Sequence, residues 1–330
     1  MDARFARRLL RTFGFFLLAA ALAPLHASAQ QSYPSRPIHL IVPYPPGALT
    51  DLLARAIADR LGASLKQPVV VENKPGAGTL VGAEYVAKQP PDGYTLLMAT
   101  STTLGISPGL YQPSPIDPTR DFAPISPVGT VNFFLIANPG FPARSVKEMI
   151  DAIRAAPGRY NYASVGSGSP HHLFMEALKA QLGLDIQHVP YKGTPAALTD
   201  LLTGNIQIMF CDATIAVPNI QAGKVIALGT SAAKPTALVA GIAPVAATVA
   251  GYDWQAWQGI VAPAATPKEI VAKLAIELQK IQASTDFKEQ LVRFGMEPFA
   301  SQSPEQFAAM IASEQPRWTK AIKDSGAKVD

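Results

Sequence analysis

The stretch Val42-Pro43-Tyr44-Pro45-Pro46-Gly47-Ala48-Leu49-Thr50-Asp51 decides how this chain reads. An apolar run, Ile38–Val42, precedes it and has the look of a buried parallel strand. Behind it, residues 52–58 place apolar side chains at helical spacing. Prolines and a glycine stiffen the sharp turn between them. Such a turn aims the N–H groups of a helix start outward at the carboxyl end of a strand, where an open α/β sheet binds ligands and the helix dipole favours anions. The same residues also suit an ordinary strand-to-helix connection, and spacing alone does not separate the two readings.

Working outward, the pattern repeats. Residues 68–72 read as a second strand, 73–78 as a turn and 79–88 as a helix. A third strand over 94–99 ends in the hydroxyl run Thr100-Ser101-Thr102-Thr103. Strand, turn and helix alternating three times call for a parallel sheet with right-handed crossovers. Three strand ends then share one rim. The proline-rich segment 105–127 lacks periodicity and reads as an irregular excursion, and the apolar run 128–137 as one strand crossing to a second lobe.

The second lobe follows the same logic. Ser145 and Glu148 form a capping-box pattern. A short strand over 160–163 runs into Ser164-Val165-Gly166-Ser167-Gly168-Ser169-Pro170, with Ser169 as the cap and Pro170 as the first helical residue. Strands are predicted over 186–189, 206–210 and 225–230, with helices starting at Thr194 and after Asp212. After a loop over 234–253, residues 257–262 cross back, and three helices close the chain. Two of them open on Thr266-Pro267-Lys268-Glu269 and Ser303-Pro304-Glu305-Gln306, the same cap pattern twice. The last helix carries Phe307, Met310, Ile311, Trp318 and Ile322 on one face, expected to pack on the first lobe.

Charge narrows the function. The chain carries +4, but Arg4, Arg7, Arg8 and Arg11 against Asp2 supply +3 of it within residues 1–29, leaving +1 for the rest. A nearly neutral body lacks the concentrated basic surface that nucleic acid requires. Those arginines precede the apolar run 13–22 and the Ala27-Ser28-Ala29 cleavage pattern, which together read as a secretory signal peptide, 1–29. Cys211 is the one cysteine, so no intramolecular disulfide forms; its place after an apolar strand reads as buried and inert.

Other motifs are weaker. Gly76, Gly78 and Gly82 resemble a dinucleotide fingerprint, but no acidic residue ends the third strand to hold a ribose. His171 and His172 are adjacent and point about 100° apart on a helix, so they do not chelate a metal together. No Gly-x-Ser-x-Gly elbow occurs after the leader, and Ser167 has no evident partners for nucleophilic catalysis. Lys192 is as well explained by a solvated turn as by a cleft, and Asp212 by a turn amide as by a ligand ammonium.

Two α/β lobes joined by two crossing strands make a hinged clam of the kind that binds solutes outside the inner membrane. The chain also resembles the Bug (TctC-like) substrate-binding proteins of tripartite tricarboxylate transporters. The residues that carry the resemblance are Tyr33-Pro34-Ser35-Arg36-Pro37-Ile38, Pro43-Tyr44-Pro45-Pro46-Gly47 with Asp51, Glu72-Asn73-Lys74-Pro75-Gly76-Ala77-Gly78, and Pro91-Asp92-Gly93-Tyr94-Thr95-Leu96. They continue with Tyr162-Ala163-Ser164 and Gly166, His188-Val189-Pro190-Tyr191-Lys192-Gly193, and Ala262-Pro263 before Thr266-Pro267. The resemblance implies a type II periplasmic-binding fold, and an organic acid held by backbone groups and ordered water rather than by an arginine. One departure is Ala48, where the family pattern usually has a second glycine; its methyl group narrows the loop or restricts its φ.

The expected architecture is α/β with two mostly parallel sheets: lobe 1 from 30–131 and 256–330, lobe 2 from 132–255. The expected ligand-binding residues are Tyr44, Pro46, Gly47, Ala48, Asp51, Asn73, Gly76, Ala77, Gly78, Thr100 and Ser101 from lobe 1. Lobe 2 adds Ser164, Val165, Gly166, Ser167, Gly168, His171 and Asp212. The expected partners are a small organic acid (a di- or tricarboxylate, an acidic amino acid or an aromatic acid) and inner-membrane transporter subunits, bound by a monomer without metal or cofactor. A secreted enzyme or a ligand sensor on the same fold is the alternative. Cleavage is expected near Ala29–Gln30; mass spectrometry of the exported chain that found Met1 intact would refute it.

Overall fold

The structure, a computed structural model, describes residues 33–299 and 302–329. The segment 1–29, read as a signal peptide, lies outside them. The chain opens with β1 (Ile38–Val42), α1 (Leu49–Leu65), β2 (Val69–Asn73), a tight turn at Ala77–Thr79, α2 (Leu80–Ala87) and β3 (Thr95–Thr100). A wide helical turn at Thr102–Ile106 leads into α3 (Ser107–Leu110), then β4 (Phe122–Val131) and β5 (Phe133–Ala137). Next come α4 (Val146–Ala155), β6 (Asn161–Ser164), α5 (Pro170–Leu182), β7 (Gln187–Pro190) and α6 (Thr194–Thr203). They are followed by β8 (Ile208–Asp212), α7 (Ala213–Gln221) and β9 (Ile226–Thr230). The chain ends with β10 (Ala256–Pro263), α8 (Lys268–Ala283), α9 (Thr285–Arg293), β11 (Met296–Pro298) and α10 (Pro304–Ser325).

The strands form two sheets, ordered β11-β4-β10-β3-β1-β2 and β7-β6-β8-β5-β9. Ile38, Leu40, Ile41 and Val42 of β1 are fully buried, as a strand covered on both faces must be. In each sheet most strands run one way and a crossing strand runs against them; in the first sheet the edge strand β11 also runs against β4. In the second sheet the crossing strand is β5, between β8 and β9; in the first it is β10, between β3 and β4. These are the strands that have just crossed over. A strand leaving one sheet by its carboxyl end enters the other from that side, and must run against strands whose carboxyl ends point back at the seam.

Two readings are corrected here. The apolar run 128–137 is two strands broken at Asn132, and the preceding segment is not wholly irregular, since β4 begins at Phe122. Pro124 and Pro127 concealed it, because proline cannot donate to a ladder. Register shifts against β10 leave Ile125 and Val128 without direct partners, so each proline sits beside a bulge. Helix starts were more legible. Ser169 accepts from the His172 N–H, and Ser303 and Gln306 cap reciprocally. Thr266 departs from its pattern: its hydroxyl donates to the Pro263 carbonyl at 2.7 Å, and α8 starts without a side-chain cap.

α10 packs on both sheets, not on the first alone. Phe307 meets Trp257 of β10 edge-on at 5.3 Å, and Trp318 stacks on Phe174 of α5 at 6.2 Å. Gly105 permits this, because a Cβ there would lie 2.6 Å from the Trp318 ring. Trp318 is 2% exposed, so Trp318→Ala is expected to cost about 3–5 kcal/mol of unfolding free energy. Urea denaturation measures this; a loss under about 1 kcal/mol, usual for surface changes, would contradict the role given to the ring.

Candidate functional site

The turn after β1 is held from behind by Asp51. Its Oδ2 accepts from the Gly47 N–H at 2.9 Å and from Arg55 Nε at 3.1 Å. Its Oδ1 accepts from Arg55 Nη2 at 3.0 Å and from the Asn73 amide at 2.8 Å. Asn73 Nδ2 also donates to the Tyr44 carbonyl at 3.0 Å. Four donors occupy a carboxylate with about four lone-pair positions. Asp51 and Asn73, expected among the ligand contacts, are thus engaged in shaping the turn, while Pro45, Pro46 and Gly47 are exposed. Ala48 is the residue before α1 and half-buried, with extended φ/ψ of −67° and 157° that alanine adopts freely.

The next turn is strained. Gly76, Ala77, Gly78 and Thr79 all have positive φ, at 137°, 44°, 57° and 82°. For Ala77 and Thr79 this backbone costs roughly 1–2 kcal/mol each, and such strain concentrates at ligand clamps and switches. Beside it, Tyr44 Oη lies 3.2 Å from Thr100 Oγ1, which also accepts from the Thr103 N–H at 3.1 Å. Burial pushes the Tyr44 phenol up, against hydrogen bonds from Thr100 and Thr102.

In the second sheet, Ser164 Oγ lies 2.6 Å from His188 Nε2 and accepts from the Gly166 N–H at 3.1 Å. The Gly168 N–H donates to His172 Nδ1 at 3.1 Å, so that nitrogen carries no proton. His172 stacks on His188 at 4.0 Å, and burial with the neighbouring His188 and Lys179 lowers its pKa to about 3. This framework shapes the loop and leaves Ser167 exposed and Val165 and Gly166 half-buried. Gly168 lies against Leu110 of α3, where a Cβ would be 2.2 Å from Leu110 Cδ1. The loop after β6 therefore meets the first sheet's side across the seam.

Several buried polar atoms at strand ends have no hydrogen-bond partner: Thr79 Oγ1, Ser101 Oγ, both His171 nitrogens, Thr230 Oγ1, Ser231 Oγ and Gln258 Oε1. Such groups are uncommon and costly unless something bonds to them. Ser101 and His171 were expected. Thr79, Thr230, Ser231 and Gln258 were missed. Thr230-Ser231 closes β9 as the hydroxyl run from Thr100 closes β3, and Gln258 is the lone amide in an apolar crossing strand opposite Thr100; both signals were present.

Asp212 ends β8, where Thr214 Oγ1 donates to its Oδ1. Burial opposes ionisation of Asp212, yet Thr214 and the nearby His171 hold its carboxyl below the ordinary range. Cys211 is fully buried, and burial first, then Asp212, pushes its thiol far up, so it is no nucleophile. Lys192 is exposed in the turn before α6. Among the described residues no group of three or more His, Cys, Asp or Glu is placed to hold a metal ion, and no helix is long and apolar enough to cross a membrane.

Burial alone would push the Asp51 carboxyl up, but Arg55, the Gly47 N–H and Asn73 more than offset it and hold it below the usual range. A depressed folded-state pKa stabilises above the ordinary carboxylate value and is lost as pH falls through the folded one. Asp51→Asn is therefore expected to destabilise at neutral pH and to flatten the acid side of the stability profile. Urea midpoints from pH 7 down to about pH 3 test this; a gap from wild type that stays constant with pH would refute it.

Comparisons with known proteins show the family of the chain. A family model described as the tripartite tricarboxylate transporter family receptor, TctC, matches residues 53–327. The protein BugT of Bordetella pertussis is 33% identical over 326 residues, covering 98% of each chain. A Rhodopseudomonas palustris protein solved with adipate is 32% identical, with a TM-score of 0.76 over 90% of this chain and 100% of that one. MatC from the same organism, solved with malate, is 30% identical, with a TM-score of 0.72 over 88% and 100%. The fold, the strand-end turns and these relatives together identify the chain as a solute-binding protein of the TctC (Bug) family.

Proposed function

We propose that this chain is a periplasmic receptor that captures a small organic carboxylate between its two sheets and delivers it to an inner-membrane transporter. The observation that carries the reading is the gathering at one seam of turns from both sheets, with buried hydroxyl, amide and imidazole groups that lack partners. Relatives solved with adipate and malate support the ligand class. The cations beside the first two turns are already engaged: Arg55 on Asp51, and Lys74 with Glu72 and over the Tyr85 ring. Recognition then falls to main-chain N–H groups in these turns that no acceptor among the described residues has claimed, those of Tyr44, of Gly76–Gly78 and of Val165 and Ser167, aided by Ser101 and Thr100; the N–H groups of Gly47, Ala48, Gly166 and Gly168 shape the turns instead. Oriented N–H groups bind a carboxylate without requiring a buried countercharge.

In this proposal residues 30–131 with 256–330 form one lobe and 132–255 the other, and the ligand favours closure because it touches both. A ligand that binds two states equally shifts nothing. The N-terminal segment 1–29 supplies export.

A ligand at about 100 times its Kd should stabilise the fold by about 2.7 kcal/mol, raising the melting temperature by about 5 °C or more. A thermal-shift screen of the mature chain against di- and tricarboxylates, acidic amino acids and aromatic acids measures this. No shift from any acid would refute the carboxylate reading. Small-angle scattering with a shifting acid should show a smaller radius of gyration; an unchanged radius would sink closure while leaving binding intact. Gly168→Val, which drives a side chain into Leu110, should weaken binding more than Ser167→Ala does.

A further inference from the structure

His171 is the second residue of α5 and 7% exposed, yet neither ring nitrogen has a hydrogen-bond partner. Its ring stands edge-on to Phe133, with centroids 5.0 Å apart. Nε2 lies 3.8 Å from Asp212 Oδ2, too far for a hydrogen bond. Thr214 donates to the other carboxylate oxygen, Oδ1, the Ile215 N–H also acts on the carboxylate, and Oδ2 is the oxygen nearest the imidazole. Asp212 pairs across the sheet with Phe133, and the Ala213 N–H donates to the Asn132 carbonyl at 2.9 Å. The His171–Asp212 gap therefore sits beside the crossover between the sheets, where the carboxylate-binding turns also end.

A gap of this width excludes a direct bond but lets one atom lie about 2.8 Å from both groups. Asp212 Oδ2 is an acceptor, so that atom must bring a proton. A ligand carboxylate there would be repelled by the half-buried Asp212 carboxylate and would bring it no proton. A hydroxyl can donate to Asp212 while accepting from His171, and an ammonium can donate to both, depending on the imidazole tautomer.

We propose that His171 and Asp212 form the specificity end of the site and select acids that carry a hydroxyl or ammonium donor on the carbon body over the unsubstituted acid. The inference rests on the carboxylate reading above and adds the substituent that the ligand must bear. An imidazole with two unpartnered nitrogens facing a carboxylate is a poor wall for a methylene group, because a methylene supplies neither group with the hydrogen bond it lacks.

Titration calorimetry of the mature chain with matched triads tests this. They are succinate, malate and aspartate; glutarate, 2-hydroxyglutarate and glutamate; and 3-phenylpropionate, phenyllactate and phenylalanine. In the triad whose body fits, the hydroxy or amino member should bind about ten- to a hundred-fold more tightly than the unsubstituted acid. Which member wins separates the hydroxyl from the ammonium. In Asp212→Asn and His171→Phe, the second of which keeps a ring against Phe133, the ratio should fall toward one. An unsubstituted acid that binds as tightly as its substituted partners, or a ratio that survives both variants, overturns the inference alone. Binding of no acid in any triad, together with no shift from any acid in the broader thermal screen, overturns the carboxylate reading and this inference with it; an unsubstituted acid from that screen that binds while every triad member fails overturns this inference alone.

Discussion

A strand that leaves a sheet by its carboxyl end can enter a second sheet only from the seam between them. That constraint organises this protein. It makes β5 and β10 antiparallel to their neighbours, and it turns the carboxyl ends of β1, β3, β6 and β8 toward one another. The crossing strands are apolar enough to be buried throughout, and their few polar groups gather at the crossover. Asn132, 3% exposed, accepts from the Ala213 N–H through its carbonyl and reaches Thr236 through its amide at 3.4 Å. Thr236 in turn donates to Glu297 of β11 at 2.8 Å. A polar chain thus ties the loop after β9 to the far edge of the first sheet, close to where any relative motion of the sheets has to be absorbed.

α10 is a further connection. Glu314 accepts from the Trp257 indole at 2.7 Å and from the Trp318 indole at 3.3 Å, joining a strand that returns to the first sheet with a ring that packs on the second. Burial raises the Glu314 pKa, and the two indole N–H groups work against that rise. Arg317, one residue before Trp318, lies over the Trp254 ring at 4.7 Å. The helix is both a lid on the first core, through Phe307 and Ile311, and a brace across the crossing strands.

The polar groups near the seam divide sharply by how well they are satisfied. Asp51, Asn73, Ser164, His172 and His188 spend their hydrogen bonds on shaping turns. Ser101, His171, Thr79 and Gln258 keep theirs unspent although buried. The first set costs little because each charge or dipole has partners. The second costs stability unless another molecule contributes the missing bonds. That contrast, rather than residue type, separates groups that build a binding surface from groups that present one.

Much of this was legible without coordinates. Helix starts at Ser169-Pro170 and Ser303-Pro304, the end of α5 at Gly183, and the run of strand, turn and helix are local events, set by residues a few positions apart. The α/β class and two sheets with two crossings followed from them. The strand over Phe122–Val131 was missed because its prolines break the local pattern, and only pairing with β10 through two bulges makes it a strand. Thr266 carried the same signal as Ser303, but the neighbouring Pro263 carbonyl claimed its hydroxyl. Asp51 and His171 are both polar residues near a helix start, and their sequence surroundings do not tell them apart. Asp51 has four donors, from Gly47 and Arg55 four residues to either side and from Asn73 at the end of neighbouring β2, whereas His171 has none, because the polar group facing it, Asp212, comes from a distant strand and stops 3.8 Å short.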